Sequence, residues 1–471
     1  MIQCVWVTSS RSRGAAPFRK RHTARSPILV CTVAVMFLGA AAISESALSE
    51  GPLTPARTRQ VVETACQKIE AIYPFAEVGE TVGAGILEEL RSGAYDDATS
   101  GLELAERVTV DMEKLGHDKH LDLLYDPVLA SELLERIERG EDASAGPSPS
   151  VVESARWEHY GFEALRSLDG GVGYLDLRTF YPSRYAGTTA AAAMGFLATS
   201  NAIIIDLRYN GGGWDDMVTM LAAYFTQLEE PEVVAISQST LDRSYVVSQV
   251  PSYVPGRTLE EIPLYILLSH RTASAAEAFA SIVKQLNDQV VLVGETTAGA
   301  ENPVDFIPLD QEFVLKIPCY RKLFFGTRSG WEGTGIKPDL DVVADKALET
   351  AHLHALRRLQ ESLQTASAQE KIRWGIDGLS ARAKPAPVSR NVLLCYAGQY
   401  RGAVVRFDDE GLSLQFGEGS VHRLIPVSAD YFVVDGRDDM RIRFHSENGT
   451  VSAFERVYQD GYRALHAKEE D

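Results

Sequence analysis

Hydrophobic positions recur at three- and four-residue spacing early in the chain, where Leu102, Ala105, Val108, Met112 and Leu115 trace one face of a helix. The pattern is helical from 54 to 116, and Thr54-Pro55 fits an N-cap followed by a first-turn proline. The stretch GEDASAGPSPS at 140–150 breaks the periodicity and reads as a linker or exposed loop. After about residue 170, short apolar runs at 172–177, 202–207, 264–268 and 290–293 suit buried strands. Helical patterns at 190–198, 215–226 and 275–287 lie between them, and a further one spans roughly 346–364. Strands alternating with helices predict an α/β core around a mostly parallel sheet.

Residues 365–389 read as a polar connection containing Ala and Pro. Beyond it, alternating runs are separated by Asp409-Glu410-Gly411, Asp435-Gly436, Asn448-Gly449 and Asp460-Gly461. Those are hairpin signals, because turns that match strand twist need positive φ. The predicted organisation is a leader over 1–46, a helical domain over 52–137 and a linker over 138–155. An α/β core over 156–365 and a small all-β domain over 391–466 follow.

Composition and charge narrow the function. Residues 1–44 hold six basic side chains and no acid, so the rest of the chain stands at −25 against −19 for the whole. A body that acidic is a poor partner for nucleic acid or anionic lipid. The basic stretch precedes an apolar run at 27–43 and small residues at Ala40, Ala41, Ala42, Ser44 and Ser46. That order is a secretory signal peptide, or an uncleaved anchor, since the run reaches the short limit for a span. Export to the periplasm or the extracellular space is the expectation. Cys66, Cys319 and Cys395 lack metal-like spacing and form no disulfide framework; apolar surroundings predict small buried side chains. His352 and His354 do not share a helical face and no HExxH is present, so no metal site is expected.

Four segments carry candidate chemistry. The first, Ile203-Ile204-Ile205-Asp206-Leu207-Arg208-Tyr209-Asn210-Gly211-Gly212-Gly213-Trp214, runs from a strand through three glycines into a helix. Such a turn is either a tight connection or a place where backbone N–H groups meet a ligand, as in an oxyanion hole. No Lys-Ser/Thr follows the glycines, which argues against a P-loop. The second, Thr272-Ala273-Ser274-Ala275-Ala276-Glu277, also lies between a strand and a helix. Ser274 there is equally an N-cap or a nucleophile beside helix-start donors, and Glu277 reads as a brace of that helix. Val293-Gly294-Glu295-Thr296-Thr297 and Glu332-Gly333-Thr334-Gly335-Ile336-Lys337-Pro338-Asp339 complete the series.

These motifs, in this order, resemble the tail-specific (C-terminal processing) serine protease family over roughly residues 55–365. The resemblance implies ClpP/crotonase-like βα units, peptide-bond hydrolysis through an acyl-enzyme, no cofactor, and a peptide or protein substrate. One branch of that family pairs its serine with a lysine after Gly-x-x-x-x-Gly, but here Gly299 is followed by Ala300. No PDZ-like insert separates His120 from the strand at Val172. Both features favour the branch similar to the tricorn core and the interphotoreceptor retinoid-binding protein modules. The resemblance then assigns Ser274 as nucleophile, His120 as general base, and Glu332 as the group that orients the histidine. Amides of Gly211 or Gly212, with that of Ala275, would form the oxyanion hole. Lys119 stands where that branch has a serine; Glu332 would pair with Lys119 or reach His120 directly, and Lys119 is the alternative base. Residue types alone do not separate His120 from His117, His159 or His270. The rival functions are a non-catalytic module holding a retinoid or other hydrophobic ligand, and an esterase-like hydrolase. Oligomeric state is not encoded in these patterns.

Overall fold

The computed structural model describes residues 53–141, 146–325, 330–447 and 450–469. The expected leader over 1–46 and the Asn448-Gly449 turn lie outside the described residues. Among the described residues, no helix is long and apolar enough to cross a membrane.

The centre is a six-stranded sheet in the order Leu340–Asp341, Val291–Gly294, Leu264–Leu268, Ala202–Asp206, Val172–Leu177 and Phe162–Leu168. All neighbours are parallel except the last strand, which pairs antiparallel at the edge. Parallel strands covered on both faces read as near-continuous apolar runs, and Val172–Leu177, Ala202–Asp206 and Leu264–Leu268 are buried throughout, Asp176 and Asp206 near their C-terminal ends included. Ile203 and Ile205 pack toward helices Ser183–Leu197, Asp215–Tyr224 and Ala275–Leu286. Ala202 and Ile204 face Ala347, Ala351 and Leu356 of helix Ala344–Ser362 on the other side.

The N-terminal part holds helices Pro55–Ile72, Ala76–Ser92 and Gly101–Gly116, each apolar on one face. That face is closed by a strand from far along the chain: Phe313, Leu315 and Ile317 share one core with Val62, Ile69, Val108 and Met112. Strand Phe313–Pro318 is the middle of a three-stranded sheet between Asp122–Tyr125 and Val304–Pro308, with Asp122 opposite Lys316. This pairing ties the loop that carries His120 to the segment that follows Ala300.

Two stretches without predicted elements are helical. Pro149–Trp157 starts inside the expected linker, capped by the Ser148 hydroxyl. Ala366–Ala383 occupies the expected polar connection, with Thr365 as its cap and Ile372 buried. Its alanines and glycines look like connector composition. Gly375 instead lets the helix approach Leu356, which a Cβ would meet at 2.8 Å.

The C-terminal part is an eight-stranded antiparallel meander from Gly398–Tyr400 to Arg463–Ala467. Arg401 N–H donates to Ala467 O at 2.9 Å and Glu469 N–H to Gln399 O at 2.9 Å, so the first strand meets the end of the chain. The sheet therefore closes on itself around Phe432, Phe444 and Phe454, which leaves no open edge. It sits on helix Ala366–Ala383, where Trp374 Nε1–H donates to Asp438 O at 3.0 Å. Cys66 and Cys319 are buried as expected, whereas Cys395 is exposed, because its short helix turns it to solvent.

Candidate functional site

Ser274 sits at the C-terminal edge of the parallel sheet, between strand Leu264–Leu268 and helix Ala275–Leu286. That edge is where α/β sheets place their ligands. Its backbone is left-handed, φ 55° and ψ −120°, a conformation that costs a non-glycine residue about 1–3 kcal/mol. Strained strand-to-helix turns of this kind present a nucleophilic hydroxyl above a sheet.

Glu277 holds the turn in place. Its fully buried carboxylate accepts Ser274 N–H at 2.9 Å and Ala300 N–H at 2.9 Å on Oε2. On Oε1 it accepts Gly299 N–H at 2.8 Å and the Thr297 hydroxyl. Burial pushes its pKa up, against the hydrogen bonds, which favour the ionised form. Glu277 thus braces more than its helix: it joins the serine turn to loop 297–300. Glu277→Gln would turn an NH2 group against at least one of those backbone N–H donors. The expected result is about 10²-fold slower reaction at Ser274 with about 1–3 kcal/mol lost stability. Labelling rate with a fluorophosphonate, measured well below the melting temperature, checks this; a wild-type rate in a destabilised protein would leave Glu277 a structural brace only.

The glycine turn lies directly against the serine. A Cβ on Gly212, whose φ is 119°, would meet Ser274 Cβ at 2.8 Å and Ala275 N at 3.1 Å. Ala273 N–H donates to Asn210 O at 3.1 Å, and Thr272 Oγ1 donates to Leu207 O at 2.8 Å, so the two loops are laced together. Of the two glycine amides, that of Gly212 donates to Asn210 Oδ1 at 2.9 Å. Among the described residues, the amides of Gly211 and Ala275 make no hydrogen bond.

His120 follows helix Gly101–Gly116 in a short loop entered through His117, itself left-handed at φ 51°. The loop alternates: Asp118 and His120 are buried, while His117 and Lys119 are exposed. Asp118 fixes it, taking His120 N–H at 2.7 Å and the Tyr73 hydroxyl at 2.6 Å. Burial drives the His120 pKa down to about 3, helped by Lys316, and its Nδ1 is buried without a partner. Glu332 lies within electrostatic reach of Asp118 and Tyr73. Its Oε2 accepts Glu301 N–H at 2.7 Å, Asn302 N–H at 3.2 Å and Asn302 Nδ2–H at 3.0 Å, and its Oε1 is buried without a partner. Burial, then the Asp118 charge, raises the Glu332 pKa to about 7.

The structure therefore joins Ser274, Gly211, Gly212 and Ala275 into one loop cluster, and packs the loops of His120 and Glu332 together. No hydrogen bond among the described residues links Ser274, His120 and Glu332. Lys119 is not brought to Glu332; its charge acts on Glu113. His270 is exposed and paired with Glu295 at 3.0 Å, and His159 is exposed. Asp118, Tyr73, Thr297, Glu301 and Asn302 were missed because their roles depend on contacts across the chain. Asn210, between a strand and a glycine run, was the one whose position gave a signal. The Cys66 thiol is pushed up to about 12 by burial, and that of Cys319 is also raised, so neither supplies a thiolate.

Residues 171–342 match a family model described as peptidase family S41. Residues 54–159 match one described as the N-terminal domain of Peptidase_S41 in eukaryotic IRBP. Similar solved structures include a lipoprotein from Streptococcus agalactiae at 15% identity, covering 64% of this chain and 96% of that one, TM-score 0.39. A photosystem II D1 C-terminal processing protease is similar at 13% identity, covering 61% and 94%, TM-score 0.36. The tricorn protease is similar at 14% identity, covering 62% and 35%, TM-score 0.38.

Proposed function

We propose a Ser-His-Glu mechanism for this chain, which belongs to peptidase family S41 through residues 171–342 and is a serine peptidase. The observation that carries the proposal is the strained Ser274 turn, held by Glu277 against glycine and helix-start amides that are free to take a new charge. Ser274 Oγ attacks the scissile carbonyl carbon and its proton passes to His120. The carbonyl oxygen, now negative, is received by the Gly211 and Ala275 amides. As the C–N bond breaks, His120 returns the proton to the leaving amine, which leaves an acyl ester on Ser274. Water repeats the sequence and releases the acid. Glu332 orients and charges His120: a bond from His120 Nδ1–H to Glu332 Oε1 would satisfy both orphaned atoms.

A fluorophosphonate should label the purified protein at Ser274, and Ser274→Ala should abolish both labelling and peptide cleavage. An unlabelled but well-folded protein would point to a binding module instead. The basic-then-apolar leader supports export, so residues 1–50 fused to a reporter that works only outside the cytoplasm should give signal. A reporter retained inside would reverse that reading.

A further inference from the structure

Three adjacent parallel strands each deliver an arginine at the sheet edge that carries Ser274. Arg178 follows Val172–Leu177, Arg208 follows Ala202–Asp206, and Arg271 follows Leu264–Leu268. All three guanidinium groups lie over one ring, that of Tyr209, at 4.6, 5.9 and 5.7 Å from its centre. Three cations drawn to one spot of an otherwise acidic protein ask for a counter-charge.

Two of them are already balanced. Arg208 makes a two-pronged pair with Asp206, at 2.9 and 2.7 Å, and donates to Ala344 O at 2.7 Å. Arg178 pairs with Asp176 at 2.7 Å, yet its Nε is sealed from solvent without a partner. Arg271 is different. It is exposed, and no ion pair or side-chain hydrogen bond to it is found among the described residues; only its backbone N–H is engaged, by Ser269 Oγ at 3.1 Å. The neighbouring acid, Glu295, is occupied by His270 at 3.0 Å. The ring of Tyr209, 43% exposed, gives Arg271 a platform that limits its rotamers while leaving its donors toward solvent.

The position is close to the reacting centre. Arg271 is three residues before Ser274, at most about 11 Å of chain. Tyr209 is two residues before Gly211, and the Ser269 hydroxyl donates to Arg208 O, which ties the two loops. A substrate in extended form advances about 3.3 Å per residue. A carboxylate within about four residues of the scissile bond is therefore in reach of this guanidinium. A planar guanidinium takes a carboxylate through two parallel hydrogen bonds, which a neutral amide cannot match.

We infer that Arg271, seated on Tyr209 beside Arg178, is a subsite for an acidic substrate side chain, so this peptidase selects peptides with Asp or Glu near the cleaved bond. The inference rests on Ser274 being the nucleophile. The test is a quenched-peptide library in which Asp or Asn is scanned through four residues on each side of the cleaved bond, each member made with a free or an amidated C-terminus. At one or more positions the acidic peptide should have about tenfold higher kcat/KM, through KM, and 0.5 M salt should shrink that ratio. Arg271→Gln should bring the ratio near one, and Arg271→Lys should restore part of it. The Asp/Asn arm reports the side-chain carboxylate, and a preference confined to the free/amide arm overturns the side-chain subsite. Equal rates for charged and neutral peptides in the wild type, or a ratio unchanged in Arg271→Gln, overturns the subsite while leaving the peptidase reading intact. No cleavage of any peptide, with no fluorophosphonate labelling, overturns that reading and the subsite with it.

Discussion

His120→Ala should lower kcat by about 10⁴-fold or more, whereas Lys119→Ala should change it by no more than about twofold. The difference follows from where the two side chains point. His120 is buried beside the Glu332 loop, and burial keeps its ring neutral until an ionised Glu332 offsets the charge of an added proton. Lys119 is exposed and its charge is felt by Glu113 on the preceding helix. Folding should survive the histidine change, because Asp118 takes the backbone N–H of residue 120 and the helix is held by Leu104, Val108 and Met112. Steady-state kinetics on one peptide, with melting curves for both variants, decides the matter. A dead Lys119→Ala beside an active His120→Ala would make this a Ser-Lys hydrolase and remove His120 from the mechanism.

The parts of this protein legible in its sequence are those whose cause is local. Fully apolar runs such as Ile203-Ile204-Ile205 announced parallel strands, and Thr54-Pro55 announced a helix start, because burial and capping act within a few residues. The family resemblance that the four ordered motifs carry likewise implied that the glycine turn lies beside Ser274. What sequence reading did not reach depends on distant partners. Strand Phe313–Pro318 closes the N-terminal helices although nearly 200 residues separate it from them, and no periodicity encodes that pairing. The choice between Gly211 and Gly212 turned on the Asn210 side chain, which takes the Gly212 amide. Glu277 read as a helix brace because its contacts to Thr297, Gly299 and Ala300 appear only once the loops are folded together. The helix Ala366–Ala383 was hidden by the small residues that let it pack closely.

The unpaired oxygen of Glu332 gives the last expectation, in which activity and stability move in opposite directions. Its carboxyl is raised from the usual range to about 7 in the folded protein, chiefly by burial and then by Asp118. The native state therefore holds this proton more tightly than the unfolded chain does. Stability contributed by the protonated group is fully present below about pH 4.5 and is lost as pH rises through about 7. Above that, an ionised buried carboxylate costs about 3 kcal/mol. That same ionised form is the one that can charge His120, so kcat/KM should rise with pH with a midpoint near 7, a value belonging to the Glu332–His120 pair as a unit. Glu332→Gln keeps an oxygen for the Glu301 and Asn302 amides and removes the charge. The variant should lose about 10²-fold or more in kcat and its rising limb near pH 7. Its melting temperature should match the wild type near pH 4.5 and exceed it above pH 7. Melting curves and pH–rate profiles across pH 4.5–9 check both halves at once. A melting advantage that does not grow with pH would show that Glu332 is ionised at little cost in the folded protein. An unchanged rising limb would place the controlling ionisation on another group.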